Sequence, residues 1–390
     1  FDPLRGNNNE PAFVKREGCT LVRQGEDASP AAFVGTPQFM ITKLVENARV
    51  PEVRVSRRGT VLSFYSRDGI RVIRSIDGGA LWEQPIVVAA HGDQPENVFI
   101  RHSAGHMSLL TGDSDQTTYF AFYSSTDDGW YWKPQSNWNK EAVKFKDMEI
   151  THFGATELRI TMKSGRQRYL QSVHGYRKRG EERQEPQLFG TFLSSDDYGK
   201  TWTNADPITE AGVRYFSMVE LTDGRIYVNA APESSFAGDT KHRRYTYSHD
   251  HGETVGDWQA AAALPNLSNA NEDYLRVGLI RLPVSDRDIL LFSHPLKDSA
   301  IAVWASFDGG KSWPVRRTVG DVAASNSSLA AGKRNTFSDG WIYLQFQSAP
   351  GSNIHAARFN LSWLLEGELT GDGEVPAWIE SSRADAAPRR

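Results

Sequence analysis

An eight-residue pattern, S-x-D-x-G-x-x-W, recurs along the chain and constrains its fold more than any other feature. It reads Ser75-Ile-Asp77-Gly-Gly79-Ala-Leu-Trp82, then Ser125 to Trp132, Ser195 to Trp202 and Ser306 to Trp313. One further copy, Ser248-His-Asp250-His-Gly252-Glu-Thr254, carries its tryptophan late, at Trp258. Successive copies start roughly 50–70 residues apart. The residue types suit a tight turn. Asp folds its carboxylate back onto nearby backbone N–H groups, Gly accepts φ > 0 where the chain reverses, and Trp buries a large ring. The boxes are therefore structural, and the period is that of one four-stranded propeller blade.

Strand signals fill the intervals. Alternating, β-branched runs at 49–55, 59–65 and 70–74 precede the first box, and 215–221, 223–229 and 244–248 lead into the late-tryptophan box. Runs at 276–282, 288–293 and 301–305 lead to the last box. A further unit without a box has strands at 327–329, 341–346 and 354–363. The run 39–44 is expected to close that last blade. This gives an all-β propeller of six blades, or seven if residues 1–38 complete another. The expected organisation is 1–38 as a segment packing on or completing the propeller, 39–367 as the propeller itself, and 368–390 as a tail rich in Gly, Ala, Pro and charge.

The boxes resemble the Asp-box, or BNR repeat, of the sialidase-like β-propellers. In that family the box lies at the turn between the third and fourth strands of a blade, opposite the active face. The resemblance covers roughly residues 49 to 365 and is strong for fold, whereas fold does not fix reaction. Asn47-Ala-Arg49-Val-Pro51 is similar to the sialidase Arg-Ile-Pro motif, whose arginine binds the substrate carboxylate. Other parts of the sialidase apparatus depart from the pattern. Where the family tyrosine nucleophile precedes a Ser-x-Leu stretch, this chain has Asn326 before Ser327-Ser-Leu329, and an amide cannot be that nucleophile. Asp68 is the one acid in the short loop after the first motif, and Glu157 aligns loosely with a family glutamate.

Blade geometry then selects a set of Arg, His and Tyr positions for the face opposite the boxes. Arg49, Arg276 and Arg243 are the candidates for binding a substrate carboxylate, since guanidinium forks match carboxylates. His174, Tyr176, His91, Tyr215 and His294 are the candidates for proton transfer. His174 and Tyr176 close the second strand of the third blade, two residues apart and so on one side of it. His102 and His106 read as a turn on the opposite face. The charged segment 178–186 reads as a solvated loop or a flap over the pocket.

Some sialidase-like propellers are polysaccharide lyases on uronic acids, of ulvan or rhamnosyl-glucuronate type. That chemistry needs a cation on the sugar carboxylate and a His or Tyr base, and no carboxylate nucleophile. The sequence reading is therefore a secreted carbohydrate-active enzyme cleaving a glycan at an acidic sugar by β-elimination. Its alternatives are an exo-sialidase-type glycoside hydrolase and a non-catalytic glycan-binding propeller. An acidic oligosaccharide or polysaccharide is the expected partner of a monomer. With a net charge of −4 and no basic stripe, nucleic acid is not expected. No apolar run is long enough to span a bilayer. The one cysteine, Cys19, excludes an internal disulfide. The chain opens on Phe1 and holds three N-x-[ST] triplets, features in keeping with secretion. No cofactor is required, and backbone carbonyls near the axis leave room for a structural calcium.

Overall fold

The computed structural model describes residues 12–15, 21–24, 30–90, 94–100, 107–112, 120–134, 143–144, 148–162, 164–179, 182–183, 189–197, 201–209, 213–232, 238, 240–266, 275–296, 300–348 and 352–386. Among them stand six antiparallel blades, each built on four consecutively paired strands. The inner strands, in blade order, are Arg49–Val55, Gln94–Ile100, Met148–Thr161, Val213–Glu220, Gly278–Arg281 and the second half of Val315–Ala331. Each packs on the next, and the last packs on the first, so the ring is closed.

Two devices hold the closure. Val315–Ala331 serves two blades: its first half pairs with Ala300–Ser306 as the outer strand of blade five, and its second half pairs with Ile342–Ser348 as the inner strand of blade six. The N-terminal strand Phe39–Val45 then pairs with Ile354–Phe359 as the outer strand of blade six. The strand 39–45 thus closes the last blade, as the sequence pattern led us to expect. The hairpin of Ala12–Lys15 and Leu21–Gln24 pairs only with itself among the described residues.

The boxes fold as the turn chemistry demands. In blade one the Ser75 hydroxyl donates to Asp77 Oδ1 at 2.8 Å, and that oxygen accepts from the Ala80 and Leu81 amides at 3.0 Å. Gly79, at φ 86°, donates its N–H to Ser75 Oγ at 2.7 Å. The tryptophans fill the seams between blades. Trp313 of blade five is fully buried, with its ring centroid 6.3 Å from that of Tyr227 in blade four. The displaced Trp258 does the same work: its Nε1 donates to the Ile208 carbonyl at 2.9 Å, on the blade-three side of the seam.

Two stretches differ from the sequence pattern. The strand expected at 354–363 stops at Phe359, because Asn360 caps a short helix, Leu361–Leu365, with its side chain accepting the Trp363 amide at 3.0 Å. Residues 368–390 read as a tail, yet Glu368–Leu369 pairs with Val315 and Arg316 in blade five. Ala377–Ala386 forms a helix that buries Ile379 in the main core cluster. Apolar Ile379 and Trp378 supply an anchor that the overall composition conceals. Among the described residues no helix is long and apolar enough to cross a membrane, which says nothing of β-barrels.

Candidate active site

The inner strand of blade one carries two charged groups of the candidate site, Glu52 and Arg54. Its first residues are irregular: the pairing slips between Arg49 and Glu52, Val50 takes φ 54°, and Pro51 has no N–H to give. A β-branched residue at positive φ is strained by roughly 1–3 kcal/mol and needs outside support. Gln347 of blade six supplies it, its Oε1 accepting the Val50 amide at 3.1 Å. The slip re-aims the side chains. Arg49 is exposed at the end of the strand, while Glu52, three residues on, is buried.

Glu52 and Arg54 lie two apart and so project to one side. One Arg54 nitrogen, Nη1, contacts Glu52 Oε1, and the other, Nη2, donates to Glu157 Oε2 of blade three at 2.9 Å. Arg276 of blade five and the Ser328 hydroxyl of blade six also act on the Glu52 carboxyl. Charged groups of three blades, with a hydroxyl of a fourth, thus act on this one carboxyl. Side-chain exposure grades the cluster: Glu52 is 1% exposed, Arg54 15% and Glu157 16%.

Burial governs the charges here. It pushes the Glu52 carboxyl up to about 7, against the pull of Arg54 and Arg276 and with the push of Glu157. Burial also raises Glu157, opposed by Arg54. For Arg54 burial works downward, and the Glu157 and Glu52 carboxylates outweigh it, leaving the guanidinium above its usual value. A carboxyl held near neutrality beside a second one can hold a proton or release it at physiological pH.

Blades five and six are stitched together above this cluster. Asn326 Oδ1 accepts the Arg276 amide at 2.9 Å, and the Ser327 amide donates to the Arg276 carbonyl at 2.9 Å. Gly278 is required by this approach: an added Cβ would stand 2.6 Å from Ser293 Oγ and 2.7 Å from Leu329 Cγ. Asn326 therefore uses its side-chain oxygen to fix the Arg276 backbone.

The remaining sequence candidates fall in separate places. Arg276 is half-buried and joins the axial cluster. Arg243 is buried between blades four and five, where its Nε donates to Asn229 Oδ1 and its guanidinium lies 5.2 Å from the Phe292 ring centroid. Burial lowers it to about 9. His294 is buried beside it, with Nδ1 2.7 Å from the Pro295 carbonyl. Burial first, then the Arg243 charge, pushes His294 down to about 3, so its ring is neutral. His174 of blade three is buried, edge-on to Phe216 of blade four at 5.6 Å, and Tyr176 is half-buried. The sequence reading put Arg243, His294 and His174 on a pocket surface; in the structure all three side chains are buried. His91, His102, His106 and Cys19 lie outside the described residues, as do most of the charged segment 178–186 and the Tyr215 side chain. Glu52 and Arg54 escaped the sequence reading. Their signal is a pair of charges alternating with Val in a strand buried on both sides. Among the described residues no group of three or more His, Cys, Asp or Glu stands together as metal ligands.

Comparison with known proteins finds sialidases among those that this chain resembles. No protein-family model matches the chain. A curated sialidase from Micromonospora viridifaciens is 31% identical over 174 residues, which is 44% of this chain and 25% of that protein. Trypanosoma rangeli sialidase in complex with sialic acid superposes with a TM-score of 0.55 at 16% identity, over 92% of this chain and 58% of that one. The intramolecular trans-sialidase of Ruminococcus gnavus, in complex with oseltamivir carboxylate, gives a TM-score of 0.54 at 14% identity, over 81% and 95%. The chain thus matches a quarter of the curated relative and little more than half of the trypanosome enzyme. These likenesses show a sialidase-type β-propeller and give the uronate-lyase branch no support.

Proposed function

We propose that this propeller is a glycoside hydrolase of sialidase type, acting at an acidic sugar. The observation that carries the reading is the meeting of guanidinium and carboxyl groups from blades one, three and five on the axis of a sialidase fold. A sialidase-type substrate brings a carboxylate that guanidiniums recognise, and a glycosidic oxygen that must be protonated as it leaves.

In this reading Arg49 and Arg276 meet the sugar carboxylate, and Arg243 supports the same face from behind. Glu157, the more exposed of the two carboxyls, gives its proton to the leaving oxygen as the glycosidic C–O bond breaks. Asn326 offers no nucleophile, so water forms the new C–O bond and loses its proton to a base of the set His91, Tyr176 and Tyr215. An extracellular setting and a monomeric state belong to the same proposal.

The test is product analysis. The chain is incubated with sialyl-oligosaccharides and, separately, with glucuronate-containing polysaccharides. Free sialic acid is the expected product. An unsaturated uronate absorbing in the ultraviolet would transfer the function to the lyase reading, and sugar binding without either product would leave a glycan receptor.

A further inference from the structure

We propose that Glu52 is a positioning residue for the anionic sugar: its carboxyl, enclosed behind Arg54, sets how much positive charge the ionic cluster of Arg54 and Glu157 presents to the substrate. This rests on the acidic-sugar reading above and deepens it.

The cluster has a front and a back. Arg54 and Glu157, 15% and 16% exposed, form the front, and Glu52, 1% exposed, forms the back. A group so enclosed does not touch substrate. It acts through Arg54, whose fork it shares with Glu157, and through Arg276, whose charge it feels from blade five. The groups facing Glu52 are Arg54 on its own strand, Glu157 from blade three, Arg276 from blade five and the Ser328 hydroxyl from blade six. Glu96, on the adjoining inner strand of blade two, lies outside the described side chains.

Charge counting gives the consequence. Whatever the state of Glu157, protonating Glu52 leaves the cluster one charge more positive than ionising it does. An anionic sugar is drawn to the protonated state and, by linkage, favours proton uptake by Glu52. Burial holds this carboxyl at about 7, so both states are populated near neutrality.

The experiment measures KM and kcat for a fluorogenic sialoside from about pH 5.5 to about pH 8.5. In the unaltered chain KM rises roughly fivefold or more as pH passes through neutrality. Glu52→Gln holds KM low and flat across the range, while Glu52→Asp, which keeps a titrating carboxyl, restores a slope. A Glu52→Gln variant with the unaltered KM profile, or one losing kcat with KM untouched, overturns the proposal. Should Glu52→Gln fold poorly, carbon-detected titration of the unaltered chain decides: a carboxyl titrating near neutrality moves upward when sialic acid saturates the protein, and a carboxyl that does not move overturns the proposal. Absence of sialoside turnover and binding in the unaltered chain would instead remove the acidic-sugar reading itself, a failure visible before any variant is made.

Discussion

Arg54 Nη2 stands 2.9 Å from Glu157 Oε2 and so joins blade one to blade three, which are not neighbours in the ring. Its other nitrogen holds Glu52. Removing Arg54 leaves two carboxyls buried without that guanidinium. We predict that Arg54→Met destabilises the fold by about 3–5 kcal/mol near pH 8, the range for breaking a buried ion pair from one side. The loss shrinks toward pH 5, where the Glu52 carboxyl takes up a proton. The triple change Arg54→Met, Glu52→Gln and Glu157→Gln recovers most of it. Urea unfolding at the two pH values measures this, and an equal loss at both would show that the charges do not interact.

Glu52 and His294 tilt the pH dependence of stability in opposite directions. The Glu52 carboxyl rises from 4.5 to about 7 on folding, so between these values the folded chain holds a proton that the unfolded chain has released. Its contribution is full below the unfolded value and is lost as pH rises through the folded one. His294 falls from 6.5 to about 3, so between those values the unfolded chain holds the extra proton. Its contribution is present above the unfolded value and is lost as pH falls. Between about pH 4.5 and about 6.5 the two slopes, each about 1.4 kcal/mol per pH unit at most, cancel. Relative to the unaltered chain, Glu52→Gln should make stability climb with pH in that window, and His294→Asn should make it decline. Parallel unfolding curves for both variants would contradict the assigned burial.

How much of this was legible beforehand follows from where each signal is stored. The boxes announce themselves because their turns are local: Asp77 and Gly79 satisfy the same short loop that contains them. The late Trp258 looked like a broken copy, although its ring still reaches the Ile208 carbonyl, since a long side chain tolerates a displaced backbone. The helix at Leu361–Leu365 had a readable cap in Asn360, hidden by an apolar run that also suited a strand. Arg276 was selected as a candidate, whereas Glu52 and Arg54 were passed over. A charge alternating with Val normally marks the solvent side of a strand. An inner propeller strand has no such side, and only the closed ring shows that its polar face looks onto the axis. Whether a strand-end side chain such as His294 turns into a blade or into the channel is likewise decided by tertiary packing.

The seam between blades four and five predicts a purely structural lesion. Trp313 is fully buried with its ring 6.0 Å from Phe292 and 6.3 Å from Tyr227, and Gly310 leaves room for the Tyr227 ring. Trp313→Ala opens a cavity there and should lower stability by about 3–5 kcal/mol. At a temperature where the variant is fully folded its KM should match the unaltered value. A KM change without loss of stability would assign the box a role beyond architecture.

Arg49 should give the converse result. Its side chain is exposed at the end of an inner strand, so truncation strands no buried partner and opens no cavity. The local backbone is held instead by Gln347 on the Val50 amide and by Pro51, neither of which depends on the guanidinium. Arg49→Ala should therefore melt at the same temperature as the unaltered chain. If Arg49 meets the sugar carboxylate, the variant forfeits a charge-assisted pair worth about 1.5–3 kcal/mol, or roughly 10–150-fold in kcat/KM. Arg49→Lys keeps the charge but not the fork, and should recover only part of the loss. Circular dichroism and sialoside kinetics on the two variants separate these effects. Undiminished turnover in Arg49→Ala would move the carboxylate subsite away from blade one, leaving Arg276 and Arg54 as the cations to test next.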